Sequence, residues 1–134
     1  MTTQDLTLDE IRALLAPVLP RHAAFDGWRA QAVTMAAAEK GVDPDIAALA
    51  FADGATDMID AWFASIDAGM LAALPRETLD AMPFRKKIIA LVEARLTLLA
   101  PDREALRRAI TILAMPKHAP RAARLGWRAA DVMW

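Results

Sequence analysis

Apolar residues recur along the whole chain at helical spacing, and polar caps, glycines and prolines mark where the segments begin and end. Thr7 and Glu10 form the capping-box pattern T-x-x-E, and Leu8, Ile11, Leu14 and Leu15 follow on one face until Pro17 and Pro20 end the segment. The stretch from Phe25 to Ile66 then has helix-turn-helix spacing. Asp26 is placed to cap a helix from about Gly27 to Lys40, Gly41 suits a left-handed stop, Asp43 caps again, and Pro44 fits the first position of the next helix. Phe25 is expected at the mouth of the first of these helices as a hydrophobic staple, Trp28 beside it and Met35 further along the buried face. Asp53 is read as the cap of a longer helix, from about Gly54 to Ala73, closed by Pro75. Its Met58, Ile59, Trp62, Phe63 and Ile66 form one stripe of 3.6-residue period, which must face a core.

Beyond Arg76 the pattern loosens around Met82-Pro83 and resumes from Phe84 to Leu99 with Ile88, Ile89, Leu91, Val92, Leu96, Leu98 and Leu99. An arc that wide predicts a central helix, packed on several neighbours or lining an apolar cavity. Leu106, Ile110 and Leu113 give a narrower stripe that runs until Pro116, and Pro120 opens the last helix. That helix carries Ala123, Trp127, Ala130 and Trp134 in one row and Arg121, Arg124 and Arg128 in another, so one face is expected to take an apolar partner and the other anions. The sequence stops on Val-Met-Trp without a polar tail, which raises the expectation of a continuation or a covering partner.

Composition sharpens this into an all-α expectation. Apolar residues make up 56% of the chain, much of it alanine, and aromatic and β-branched residues are few, which favours helix over sheet. At this length one domain, or two tightly packed units, is expected, the units being a three-helix helix-turn-helix-like part over residues 1–52 and a helical region over 53–134. No cysteine is present, which excludes disulfides and thiolate metal sites, and no apolar run approaches a membrane span. The segment MTTQDLTLDE is polar and acidic, unlike a secretory or transit peptide, so the cytoplasm is the expected compartment. The formal net charge of −1 conceals a division: through Gly69, 11 acidic residues face 4 basic ones, and beyond it 6 face 12.

Candidate chemistry is sparse. The recognition position, Pro44 to Ala50, holds no Arg, Lys, Asn or Gln to read base edges and is flanked by Asp43, Asp45, Asp53 and Asp57, so nucleic acid is not an expected partner. His22 and His118 fall in loop-like stretches without a second ligand at helical spacing. Asp57 and Asp60 share a helix face, where a solvated acidic face is favoured over a di-metal site. No phosphate loop or nucleophile elbow is present, and neither a cofactor nor catalysis is expected.

FDGW, the acidic-apolar run ending in DAWF, RRAITILAMP and GWRAADVMW together resemble the bacterial branch of the ubiquinone-biosynthesis lipid-binding accessory family, the ninth of the coenzyme Q proteins. The resemblance runs from about Phe25 to Trp134 and is most specific in LAMP and WRAADVMW; the N-terminal half fits the wider TetR-like family equally well. It implies a TetR-like fold that lacks the family's last helices, no enzymatic activity, and a pocket for an isoprenoid lipid or quinone intermediate. The walls so implied are Met58, Trp62, Ile66, Ile88, Leu91, Val92, Leu96, Ile110, Leu113 and Trp127, although helix-spaced apolar residues taken singly are normally packed core. Asp131, Met133 and Trp134 match part of the family's docking surface for demethoxyubiquinone hydroxylase. Arg121, Arg124 and Arg128, with Arg107, Arg108 and Lys117 nearby, are candidates for anionic headgroups at the inner membrane or for an acidic partner, with an ordinary solvated face as the alternative, and a homodimer is expected. A TetR-type ligand-responsive regulator and a helical interaction domain without a cavity remain as alternatives.

Overall fold

Thr7 opens the first helix as the sequence requires: its hydroxyl accepts the Glu10 N–H at 3.1 Å, and the Glu10 carboxylate accepts the Thr7 N–H at 3.3 Å. The computed structural model describes residues 6–115, 117 and 119–133, with the side chains at 119, 121, 122 and 133 outside that description. Helix α1 (Leu8–Leu15) buries Ile11 and Leu15 completely. A further helix follows where the prolines suggested an interruption, α2 (Leu19–Asp26). Pro20 stands in its first turn, where a missing N–H costs nothing, and Leu19 and Ala23 bury against the neighbouring helices. His22 therefore lies on a helix rather than in a loop, 3.5 Å from the Glu39 carboxylate, while His118 is outside the described residues.

The added helix displaces the expected caps. Asp26 is the last residue of α2, Gly27 ends it with its N–H on the Ala23 carbonyl at 2.8 Å, and Arg29 precedes α3 (Ala30–Lys40). Phe25 is 90% exposed and Met35 is also exposed, so neither serves the core; α3 buries its alanines and Val33 instead. Gly41 adopts the expected left-handed stop, and Asp43 caps α4 (Pro44–Ala50) by accepting the Asp45 N–H at 2.8 Å. At the start of α5 (Ala55–Ala73) the roles are reversed from expectation: Gly54 is the cap residue, and the Asp53 N–H donates to the Asp57 carboxylate at 2.9 Å.

Helix α5 is the axis of the molecule. Met58, Ile59, Trp62 and Ile66 are buried as the stripe predicts, and Trp62 packs on Trp28 and Phe63 at centroid distances of 5.4 and 5.5 Å. One cluster of buried side chains joins α1 through α5 to Ala105 and Ala109 of α8 (Arg103–Leu113), crossing residue 52 without a break. A smaller cluster of Met70, Leu79 and Leu91 joins the far end of α5 to α6 (Arg76–Asp80) and α7 (Phe84–Leu99). A turn of 3-10 helix, Ala100–Asp102, leads from α7 into α8, and α9 (Ala119–Met133) closes over α5. Among the described residues there is no strand, and no helix is long and apolar enough to cross a membrane.

The C-terminal helices turn differently from their sequence pattern. Only Leu91 of α7 is buried, so α7 is a flank of the bundle rather than its centre. On α8 the small Ala105 and Ala109 face inward, where they permit close approach to α2 and Trp28, and Ile110 is left exposed. On α9, Leu125 is buried and Arg128, Ala129, Ala130 and Val132 are half-buried, while Ala123 and Trp127 of the expected apolar row are exposed.

Candidate functional site

Three aspartates of α5 fall on one side of the helix at Asp57, Asp60 and Asp67, separated by the small residues Ala61, Ala64 and Ser65. An arginine from a different helix meets each part of this row. Arg12 of α1 lies 3.4 Å from Asp57 and 3.9 Å from Asp60, and also donates to the carbonyl oxygens of Ala50 and Asp57 at 2.9 and 3.3 Å. Arg128 of α9 lies 2.7 Å from Asp60 and 3.8 Å from Asp67 and donates to the Asp60 carbonyl at 3.3 Å. Arg95 of α7 hydrogen-bonds Asp67. Asp57 and Asp60 are thus structural counterions rather than a solvated face, and α1, α7 and α9 are tied to α5 through alternating charge.

Beside this seam a groove of about 470 Å³ runs between α1, α5 and α9. It is lined by the small side chains of Ala13, Ala61, Ala64, Ser65 and Ala68 together with Pro17, and by the charged Asp9, Arg12, Asp60 and Arg128. Small side chains leave the space open and the paired charges supply oriented donors, the combination that binding clefts use to hold an apolar body by a polar tip. The seam and the groove are legible in sequence only in part: the small residues at helical spacing between the aspartates were the available signal, and Arg12 lies too far away in the chain for any local pattern to include it.

The expected lipid walls are distributed over the bundle. Met58, Trp62 and Ile66 belong to the main core, Leu91 to the smaller cluster, and Ile88 and Leu113 are half-buried. Val92, Leu96, Ile110 and Trp127 are exposed, and none of the ten lines the groove. Ile89, Val92 and Leu96 share the outward face of α7 at i, i+3 and i+7. On α9, Arg124, Trp127 and Asp131 share the outward face, with Trp127 72% exposed. Arg128 departs from the expected anion-binding row: it is turned inward, toward Asp60. Trp134 is outside the described residues, as are the side chains of Arg121 and Met133.

Two carboxyl groups on the neighbouring α8 segment are shifted. Side-chain hydrogen bonds from Arg107 and then Arg108 hold Glu104 down at about 2, and burial raises Asp102 against the opposing field of Arg21. Among the described residues no group of three His, Cys, Asp or Glu side chains is arranged to hold a metal ion.

Fold and groove together define a small all-α protein whose outer helices carry exposed apolar residues on a charge-stitched bundle. Compared with known families and with curated proteins, the chain matches no family model and no curated sequence.

Proposed function

We propose that this protein is a non-enzymatic, TetR-like lipid-binding accessory factor of ubiquinone biosynthesis, which binds an isoprenoid quinone intermediate and presents it to demethoxyubiquinone hydroxylase. The observation that carries the reading is Trp127, 72% exposed on the outer face of α9 one turn before Asp131, within the segment on which the resemblance is most specific. A large aromatic ring held in water on a helix face, flanked by Arg124 and Asp131, has the composition of an interface anchor. The groove beside α9 falls within the volume range of small-molecule sites, about 300–1,000 Å³, and its small side chains beside paired charges suit an apolar body with a polar tip. The exposed arc of α7 supports a homodimer, in which a second copy would cover Ile89, Val92 and Leu96. Work at the inner-membrane surface from the cytoplasmic side accords with this role.

The DNA-binding alternative finds no support in α4 and its cap, whose exposed positions are Asp43, Pro44, Asp45, Ala48 and Leu49. The decisive test has two parts. Mass spectrometry of an organic extract from detergent-free protein, made in cells that synthesise ubiquinone, should find a prenylated phenol or quinone at near-stoichiometric amount. Trp127→Ser should then abolish capture of the hydroxylase without changing the far-ultraviolet circular dichroism. An empty extract together with hydroxylase binding indifferent to Trp127 would leave a helical interaction domain of another kind.

A further inference from the structure

The turn between α2 and α3 gathers arginines around a hollow that neither the groove nor the α9 face uses. Gly27 ends α2 at φ 79°, a conformation open to glycine, and its carbonyl accepts the Arg29 N–H at 2.9 Å. Between them Trp28 enters the core, and its indole N–H donates to the Ala105 carbonyl of α8 at 3.0 Å. That buried bond pins the turn to α8. Gly27 and Arg29 are thereby held opposite the next turn of α8, where Arg107, Arg108 and Thr111 line a hollow of about 250 Å³ with Ile112 at its apolar edge.

The cations in this hollow outnumber their counterions. A Cβ on Gly27 would lie 3.5 Å from Arg29 Nε and 3.6 Å from Arg108 Nη1, so two guanidinium groups converge on one point from different helices. A single carboxylate, Glu104, serves the α8 pair: it accepts from Arg107 at 2.6 and 3.1 Å and from Arg108 Nε at 3.0 Å. Among the described residues Arg29 forms no ion pair. Helix α3 also starts here without a side-chain cap, which leaves N–H donors and the positive end of its dipole beside Arg29. Converging like charges are stable when an anion joins them, and forked guanidinium donors match the several oxygens of a tetrahedral oxyanion.

We propose that Arg29, Arg107 and Arg108 form a binding site for a phosphoryl group. The hollow is smaller than the range typical of drug-sized ligands, about 300–1,000 Å³, so it holds a phosphate or the head of a phosphate ester, with Ile112 beside whatever the ester carries. The site is independent of the quinone reading and of Trp127, and either can fail alone.

The test is an amide and arginine-Nε NMR titration of the whole chain with inorganic phosphate at fixed ionic strength, with chloride as the control anion. Saturable shifts are expected at Gly27, Arg29 and Thr111, and Arg29→Gln, a substitution at an exposed side chain, should weaken phosphate about tenfold by removing charge-assisted bonds. Arg85→Gln, an exposed arginine of α7, should leave the affinity unchanged. Phosphatidylcholine vesicles doped with phosphatidic acid identify the source: competition with phosphate for the same resonances, lost in Arg29→Gln, assigns a lipid headgroup, and a response to phosphate alone assigns a soluble phosphate compound. Shifts that do not saturate, that chloride reproduces, or that survive Arg29→Gln unchanged would overturn the site.

Discussion

Replacing Asp60 with asparagine asks whether charge holds α9 to the bundle. The substitution keeps the side chain's shape and removes its charge, so the packing around Ala61 and Ala64 is expected to persist. Arg128 lies 2.7 Å from one carboxylate oxygen and Arg12 lies 3.9 Å from the other. At an effective dielectric of about 20, unit charges about 4 Å apart attract by roughly 4 kcal/mol before any cost is counted. Desolvation and the ordering of two long side chains offset most of that, and the Arg128 side chain is 38% exposed, so solvent screens it further. A net loss of about 1–2 kcal/mol remains. Arg12 keeps Asp57 at 3.4 Å, whereas Arg128 keeps the longer 3.8 Å approach to Asp67 and its 3.3 Å bond to the Asp60 backbone carbonyl. The loss therefore falls on α9. Amide exchange between Leu125 and Val132 should quicken about five- to thirtyfold, since about 1.4 kcal/mol is tenfold in an opening equilibrium. Amides of α3 should follow only the smaller change in global stability, and added salt should narrow the difference between variant and parent. Exchange in α9 no faster in Asp60→Asn than in the parent chain would refute the charge latch and leave Leu125 and Val132 as what holds the helix.

Trp62→Ala removes the ring that packs on both Trp28 and Phe63 and should cost about 3–5 kcal/mol in urea unfolding; a loss below about 2 kcal/mol would mean that neighbours refill the space. Gly41→Ala places a Cβ in open space but at φ +70°, so backbone strain alone should destabilise by about 1–2 kcal/mol, with Gly41→Asn milder. Carbon NMR of the Glu104 carboxyl should show titration near the value of about 2, well below the ordinary 4.5. Because the folded value is depressed, the stabilising contribution of Glu104 is complete above 4.5 and is lost as pH falls from there through about 2. Arg107→Gln should move that titration back upward and Arg108→Gln should do so to a lesser degree; no movement in either would break the assignment.

The N-terminal half was legible where local chemistry decides conformation. The Thr7–Glu10 box, the Gly41 stop, the Asp43 cap with Pro44 behind it, and the α5 stripe are each written in adjacent residues, and each appears as expected. Helix α2 was hidden because two prolines read as a break, although a proline in a first turn serves as a start. Once α2 extends to Asp26, that aspartate can no longer cap α3. The wide apolar arc of α7 failed for a different reason. Periodicity reports that a face is apolar but not that anything covers it, and Ile89, Val92 and Leu96 are apolar and uncovered. On α9, Arg128 left its expected row because it has counterions at Asp60 and Asp67, and a pairing across 61 to 68 residues of chain leaves no local pattern.

The same pairing changes the meaning of the charge asymmetry. In sequence the charge divides into an acidic front and a basic back. In the folded chain they are in part partners of each other: Arg95 and Arg128 of the basic half close on Asp60 and Asp67 of the acidic half, and Arg12 completes the row. That seam removes Arg128 from the pool of cations available to a membrane or an anion. Outside the seam, the exposed carboxylates include Asp43 at the cap of α4 and Asp45 within it, and the exposed arginines include Arg29 and Arg107. The outer face of α9, with Arg124, Trp127 and Asp131, carries both signs around an aromatic centre. A protein recognising that face would gain orientation from the charges and affinity from the ring, so raising the salt should slow its association, whereas losing Trp127 should shorten the life of the complex.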